Sequence, residues 1–364
     1  MWYTAPRVTA EQEKRERDGL SIDEKNHAMA DMSGKSAADG KAAAKTRSTD
    51  DTNRHTSPLD QKKQEIVNLT QEQKQELQKA LSDIPAEEKA AYTEALSTVP
   101  HLVQTESGDE RFLRFADFHA EKAAASLVKY WRLRKELFGS DKAFLPMTIT
   151  GALRDDTETL DIGLAMLLPN DCHGRTVFYF NQSGFSSPPI DKESMHRVFF
   201  YFLHVNGESS AAQDQGIVFL ENYEGYDLYT NWDRPFIKRC QEMRGIFTNK
   251  IRAIHFFTGR GSNTVLNEFI FPMIKFILGL RLRLRFQSHS GDSQFMRKNM
   301  LSKFGIEPRG LPESMGGSFS KNDFRNWLAN RKQLEEQRTT KTYSNSPSDS
   351  NGSSNNTSQE GGVS

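Results

Sequence analysis

Three short runs of large apolar residues, separated by helical patterns, constrain the fold of this chain most. The runs are RTVFYF (175–180), GIVFL (216–220) and IRAIHFF (251–257). Each run is apolar on both faces, as strands are in a parallel sheet that is covered on both sides. The stretches between them, 191–205 and 234–247, carry apolar residues at helical spacing. This alternation of strand and helix predicts an α/β fold with a mixed, mostly parallel sheet.

The two ends of the chain have a composition that cannot build a core. Hydrophobic residues make up only 36% of the sequence, and residues 1–58 and 339–364 contain few of the large ones. We therefore predict that both ends are disordered, a charged segment in front and a Ser/Asn-rich one behind. The 48 basic residues balance the 48 acidic ones, which argues against a protein that works by neutralising nucleic-acid phosphates.

Residues 59–140 predict a small all-α domain in front of the sheet. Leu77 and Leu81 form an apolar stripe in the first helical pattern, at 71–84, and a second pattern at 86–97 stops before Pro100. A longer helical pattern covers 119–138 and is closed by Gly139. The sheet then belongs to a domain of residues 141–319, and a last helix covers 320–338.

Two adjacent segments depart from the strand and helix alternation. The segment NTVLNEFIFPMIKFILG (263–279) is apolar nearly all round, which fits either an internal core helix or a helix that covers a lipid-filled cavity. LRLRLRF (280–286) alternates strictly and predicts an edge strand with Arg281, Arg283 and Arg285 on one wet face. These arginines could protect the edge from pairing or attract an anionic membrane surface.

Patterns for enzyme chemistry are missing from the sequence. No nucleophile elbow, zinc-binding HExxH pair or Walker lysine loop occurs, and Thr264 replaces the third glycine of a dinucleotide fingerprint at 259–264. Asp171, Cys172 and His173 are adjacent, which favours a loop before a strand over a metal site. His255 is interpreted as a satisfied core histidine. We therefore expect neither an enzyme nor a bound metal or cofactor.

Three stretches of the sequence share motifs with one known family: FLRFADFHAEKAAASL (112–127), GRTVFYF (174–180) and LPESMGG (311–317). In their order they resemble the CRAL-TRIO family of lipid-exchange proteins. The first stretch is similar to the helical signature in front of the family's lipid-binding domain. GRTVFYF (174–180) resembles the start of its first strand, and LPESMGG (311–317) its closing motif. The segment order between them is similar as well. The resemblance implies a three-layer fold in which an apolar helix is a gate over a hydrophobic pocket.

The resemblance also implies a site. The residues expected to line the pocket are those of the strand and gate segments: Phe178, Phe180, Phe219, Ile254, Phe256, Phe269, Ile270, Met273, Phe276 and Ile277. For the strand residues the opposite set of faces remains open, because both faces are apolar. Arg281, Arg283 and Arg285 are expected to contact headgroups. Ala116, Asp117 and Asn249 stand where phosphoinositide binders have other residues, so we expect attraction to anionic lipid in general.

The function expected from the sequence is intracellular binding and exchange of a phospholipid or isoprenoid-like ligand by a monomer. The alternative is a non-catalytic protein-interaction or lipid-sensing scaffold with a vestigial pocket. The first twenty residues lack an apolar run after basic residues, and 269–280 is too short to span a bilayer. A cytoplasmic location with transient membrane contact is therefore expected.

Overall fold

The computed structural model describes residues 71–186, 191–226, 233–244, 248–259, 264–277 and 280–344. The predicted tail 1–58 and residues 345–364 of the second predicted tail lie outside these residues. The prediction of disorder from residue 339 is wrong for 339–344, which belong to the last helix. The structure is an α/β fold whose five-stranded sheet is mixed and mostly parallel, as the sequence predicts.

Helices occupy most of the chain before the sheet. They are α1 (Gln71–Asp83), α2 (Ala90–Thr98), α3 (Pro100–Glu106), α4 (Asp109–Phe115), α5 (Ala120–Lys142) and α6 (Thr157–Ile162). Leu77 and Leu81 are buried in α1, as their spacing predicts. Gly139 has a φ of +70° that interrupts α5, which confirms the predicted helix end. Tyr130 and Phe138 of α5 pack against Phe200, so these helices share one core with the sheet.

The sheet has its strands in sequence order. They are β1 (Ala165–Leu168), β2 (Thr176–Asn181), β3 (Ile217–Asn222), β4 (Ile251–Gly259) and β5 (Phe286–Gly291). β1 is antiparallel to β2, and β2 to β5 are parallel. The three predicted apolar runs are therefore neighbouring strands, with Phe178 beside Phe219 and Phe219 beside Ile254.

The connections between the parallel strands pack on one face of the sheet. They contain α7 (Lys192–Asn206), α8 (Ser210–Gln215), α9 (Arg234–Arg244) and the helical residues 264–277, which we call the cover helix. The Asp191 carboxylate accepts a hydrogen bond from the Glu193 amide and caps α7. Phe199 of α7 lies 4.9 Å from Phe178, and Phe271 of the cover helix lies 5.1 Å from Phe256.

The other face of the sheet carries α12 (Ser293–Phe304) and the turns that follow it. Phe304 packs on His255 of β4, and Ser314 is hydrogen-bonded to Tyr179 of β2. A Cβ atom on Gly317 would lie 2.0 Å from the Leu311 carbonyl oxygen, so the tight LPESMGG turn requires glycine there. The last helix, α13 (Lys321–Ser344), continues past its predicted end at 338.

The prediction of an edge strand at 280–286 is wrong. Leu280–Arg283 forms one helical turn, α11, which follows the cover helix's α10 (Phe271–Ile277), and β5 begins only at Phe286. The sheet sets this start, because the Ile254 amide donates to the Arg285 carbonyl and Phe286 is then the first residue in register. The three arginines therefore do not share one face of a strand. None of the described helices combines the length and apolarity that crossing a bilayer requires.

Candidate functional site

The cover helix contains a π-turn at Leu266–Ile270, immediately before α10. In a regular α-helix, residues five apart point about 140° away from each other. Across the π-turn, Leu266 and Phe271 are nevertheless both buried. The Thr258 hydroxyl at the end of β4 donates to Asn267 Oδ1 at 3.0 Å and ties the π-turn to the sheet. The inner side of the cover helix is thus anchored at its amino-terminal half.

The outer side of the cover helix is apolar as well. Phe269, Met273 and Phe276 are 65%, 45% and 77% exposed. Together with Val265, they follow one another at helical spacing and form what we call the exposed stripe. Lys275, beside Phe276, is exposed too. Large apolar side chains gathered in this way mark a surface that contacts a partner or a membrane.

Beneath the cover helix lies the phenylalanine face of the sheet. Phe178, Phe219, Ile254 and Phe286 are register partners in one row, and Phe180, Glu221 and Phe256 form the next. The predicted strand set thus shares the face that carries the cover helix, which settles the strand parity. The ring centroid of Phe256 lies 5.1 Å from that of Phe271 and 4.9 Å from that of Tyr223.

The structure brings the predicted site residues together in two groups. The five strand residues are buried on the phenylalanine face, whereas Phe269, Met273 and Phe276 point outward and Ile270 is half-buried against the core. The side chains of Ile277 and Arg281 lie outside the described residues. The outward residues therefore lie on the surface in this conformation, and the inward ones lie within the core.

Arg283 closes the cover helix and does not project from a strand. Its Nη2 donates to the Phe276 carbonyl oxygen at 2.9 Å, and its guanidinium lies 5.8 Å from the Phe276 ring centroid. A cation at a helix carboxyl terminus compensates its unpaired carbonyl groups. Arg283 therefore lies at the end of the exposed stripe, beside its most exposed residue.

Glu221, a buried carboxylate on the phenylalanine face, is not among the site residues that the sequence predicts. It lies in register between Phe180 and Phe256. Its Oε2 accepts hydrogen bonds from Gln182 Nε2 at 3.1 Å and from the Tyr223 hydroxyl at 3.0 Å. A charged residue that follows the apolar run GIVFL at the carboxyl end of a parallel strand was the available signal, since ligands bind at that edge of such sheets.

The opposite face of the sheet holds a histidine pair. His255 Nδ1 lies 3.0 Å from His289 Nε2, and both rings pack against Phe304. Burial, with smaller contributions from His289 and Arg175, lowers the pKa of His255 to about 3, and burial together with the Lys303 ammonium lowers the pKa of His289 to about 4. Both rings are therefore neutral at pH 7, and the interpretation of His255 as a satisfied core histidine is confirmed.

The loop at Asp171 is structural, as predicted. Its carboxylate accepts hydrogen bonds from the His173 and Arg175 amides and from Arg175 Nε, which holds the turn before β2. Among the residues that the structure describes, no three His, Cys, Asp or Glu side chains gather to hold a metal ion.

Two cavities lie away from the phenylalanine face. One, of about 480 Å3, is next to the closing turns, between Pro169 and Asp323. The other, of about 730 Å3, lies between α3, α4, the end of α7 and α13, and we call it the helical cavity. Its wall includes Arg111, Arg114, His204 and Glu208. The sequence alone does not predict the helical cavity, because its charged residues come from four separate parts of the chain.

No family model matches the sequence, and a search of curated proteins gives no match.

Proposed function

We propose that this chain binds a hydrophobic lipid between the cover helix and the phenylalanine face, and exchanges it with membranes without changing it chemically. One observation carries the proposal: the cover helix is apolar on its inner side, at Leu266 and Phe271, and on its outer side, at the exposed stripe. A helix packed permanently on a sheet needs only one apolar side. A second apolar side is explained by a helix that meets lipid.

The resemblance to the CRAL-TRIO family supports the same proposal. In that family an apolar helix with an internal proline gates a lipid pocket, and here Pro272 lies two residues after the end of the π-turn. The three-layer arrangement and a separate all-α domain in front of it belong to the proposal. So do a cytoplasmic location and a monomeric state.

Burial of the lipid chain supplies the binding free energy. Each buried methylene group contributes about 0.8 kcal/mol, so an acyl chain of roughly sixteen carbons offers on the order of 12 kcal/mol. The rings of Phe256 and Phe271 are in contact in this structure, so a lipid enters only when the cover helix moves outward. Glu221, with the Tyr223 hydroxyl beside it, then offers hydrogen-bonding groups to the polar end of the ligand.

Membrane contact begins at the exposed stripe. Phe269, Met273 and Phe276 enter the boundary between headgroups and acyl chains, and Lys275 and Arg283 lie at the same end of the helix. Cationic side chains near an anionic surface contribute about 1 kcal/mol each. Arg281 and Arg285 belong to the same headgroup contact in this proposal.

The test replaces Phe269 and Phe276 by Asp and measures lipid transfer between donor and acceptor vesicles. Both side chains are exposed, so the thermal midpoint should stay within a few degrees of the unchanged chain, whereas transfer should fall by at least about tenfold. Phe295→Asp is the matched control, because Phe295 is 47% exposed on α12, across the sheet. Unfolding of the double variant, or equal loss of transfer in the control, would contradict the proposal.

A second candidate is a non-catalytic scaffold with a vestigial pocket. The close ring contacts between Phe256, Phe271 and Phe286 favour it, since they fill the space beneath the cover helix. Native mass spectrometry of the purified chain distinguishes the two candidates. A co-purified lipid supports the carrier, and a folded chain without lipid that also transfers none supports the scaffold.

A further inference from the structure

The helical cavity is lined by paired charges. Its wall holds four arginines, Arg111, Arg114, Arg331 and Arg338, and four glutamates, Glu106, Glu110, Glu208 and Glu335. A fifth arginine, Arg134, lies behind the wall and binds Glu106 at 2.6 Å. A fifth carboxylate, that of Asp214, lies 3.9 Å from Arg114, so arginines and carboxylates are equal in number in the cavity and its immediate support.

Each of these glutamates already has an arginine partner. Glu110 binds Arg114 at 2.7 Å, and Glu335 binds Arg331 at 2.6 Å. Glu208 binds Arg331 and also Arg338, the latter at 2.5 Å. A carboxylate held by a guanidinium repels an incoming anion less than a bare one does, because the pair is close to neutral at a distance.

Arg111 is the arginine of this group that has no carboxylate partner in the described chain. Its three side-chain hydrogen bonds go to uncharged acceptors: Nε to Thr248 Oγ1 at 2.9 Å, and Nη1 and Nη2 to the Glu106 and His204 carbonyl oxygens, each at 2.7 Å. No carboxylate of the described chain lies within ion-pair distance of it. A guanidinium has five N–H donors, so one N–H on each of Nη1 and Nη2 remains for a ligand.

The position of Arg111 is fixed by its surroundings. A Cβ atom on Gly207 would lie 2.3 Å from Arg111 Nη2, so the guanidinium fits past the end of α7 only because residue 207 is glycine. Burial lowers the pKa of Arg111, and its neighbours do not restore it. Burial acts in the same direction on Arg331, but there the carboxylate partners outweigh it and the pKa ends above its usual value.

Arg114 lies on the same side of α4 as Arg111, because the two are three residues apart. Its side chain is only 10% exposed, while its partner Glu110 is 50% exposed. Two guanidinium groups on one wall suit a phosphate group, in geometry and in charge, better than they suit a single carboxylate group. The cavity of about 730 Å3 is of the size that holds a small organic ligand.

We infer that the helical cavity binds a phosphate group through Arg111 and Arg114. The phosphate group belongs either to a small soluble molecule or to a lipid headgroup. The apolar side chains of Leu102 and Met147 in the same wall give room for an organic part of the ligand. The site is separate from the cover helix, so it does not depend on lipid exchange at the phenylalanine face.

The test uses pyrophosphate as the soluble probe and the full chain as the protein. Titration calorimetry at constant ionic strength should give saturable binding, and the thermal midpoint should rise by a few degrees at saturation. Arg114→Gln should weaken the Kd at least about tenfold, since a hydrogen bond to a charged group is lost. Glu110→Gln should tighten it a few-fold by removing the nearer of the two carboxylates that hold Arg114, the other being that of Asp214.

Arg325→Gln is the matched control, because Arg325 also pairs with a carboxylate, that of Asp161, but lies outside the cavity. It should leave the Kd unchanged. The inference would be overturned if pyrophosphate bound no more tightly than chloride. It would also be overturned if the Kd for pyrophosphate were unchanged in both Arg114→Gln and Glu110→Gln.

Vesicles of phosphatidic acid and of phosphatidylcholine identify the source of the phosphate. A lipid source is indicated by three results together. The chain sediments with phosphatidic acid vesicles, pyrophosphate releases it from them, and the Arg114→Gln variant does not sediment with them. A soluble source is indicated if pyrophosphate binds but vesicle binding is the same in Arg114→Gln as in the unchanged chain. Both results support the phosphate site.

Discussion

The pair His255 and His289 shows how a single hydrogen bond fixes the protonation of two side chains. Their nitrogens are 3.0 Å apart, and one ring must donate while the other accepts. Burial then keeps both rings neutral in the folded chain. In the unfolded chain the same histidines titrate near their ordinary pKa of about 6.5.

The free energy of unfolding should therefore fall as the pH falls. A histidine whose pKa is lowered by folding stabilises the fold fully above its unfolded pKa, and this stability is lost between about pH 6.5 and its folded pKa. For His289, with a folded pKa of about 4, the loss between pH 7 and pH 4 is about 3 kcal/mol. Urea unfolding at a series of pH values measures it.

His289→Gln should flatten this pH dependence, because glutamine keeps a hydrogen-bonding side chain but does not titrate. His119→Gln, at an exposed histidine, serves as the control and should leave the slope unchanged. A slope that is equally steep in His289→Gln would show that other groups cause the acid sensitivity.

Single residues also mark the limit of what periodicity predicts. The apolar runs of β2, β3 and β4 predict strands correctly, yet they leave the two faces equivalent. The two faces are distinguished by the packing of α7 on one of them, where Phe199 contacts Phe178. Glu221 follows such a run and is missed, because its burial depends on Gln182 and Tyr223, which only the folded chain brings to it.

At the scale of elements, the π-turn of the cover helix contains one residue more than a regular α-helical turn that would bury Leu266 and Phe271 on the same side. Deleting the exposed Glu268 should convert Leu266–Ile270 to a regular turn and place Leu266 and Phe271 four residues apart, both still facing inward. Relief of the irregular turn should stabilise the segment by about 1 kcal/mol. Hydrogen exchange in 264–277 should then slow about fivefold.

Deletion of Arg132, an exposed residue inside the regular part of α5, is the matched control. It should rotate the buried Arg134, Leu137 and Phe138 by about 100° away from the core and lower the thermal midpoint strongly. If deletion of Glu268 is equally destabilising, the π-turn is required by the fold and is not a surplus residue.

The segment LRLRLRF shows why strict alternation does not always make a strand. Alternation predicts which side chains would share a face if the backbone were extended, but hydrogen bonding decides whether it is extended. Here the helical turn of α11 lets Arg283 reach the Phe276 carbonyl, and the sheet offers no pairing before Arg285. β1, only four residues long and antiparallel, was missed because so short an apolar run has no distinctive period.

At the scale of the whole molecule, the core does not need the predicted tails. A shortened chain of residues 59–344 keeps every helix and strand of the described structure, including the end of α13. Its thermal midpoint should lie within a few degrees of the full chain, because the composition of 1–58 offers little apolar surface to bury. Differential scanning calorimetry of both chains measures the difference, and a drop of many degrees would contradict the prediction.

The in-order sheet has a consequence for synthesis on the ribosome. Each parallel strand pairs with the strand made just before it, so β2 to β5 can assemble while later residues are still being translated. The last helix, α13, breaks this order. Its Glu335 accepts hydrogen bonds from the Tyr201 hydroxyl and the Ile149 amide, and its Trp327 packs on Phe202. The nascent chain therefore completes its core only after residues near 335 leave the exit tunnel, and until then Tyr201 and Phe202 lack the cover that α13 provides.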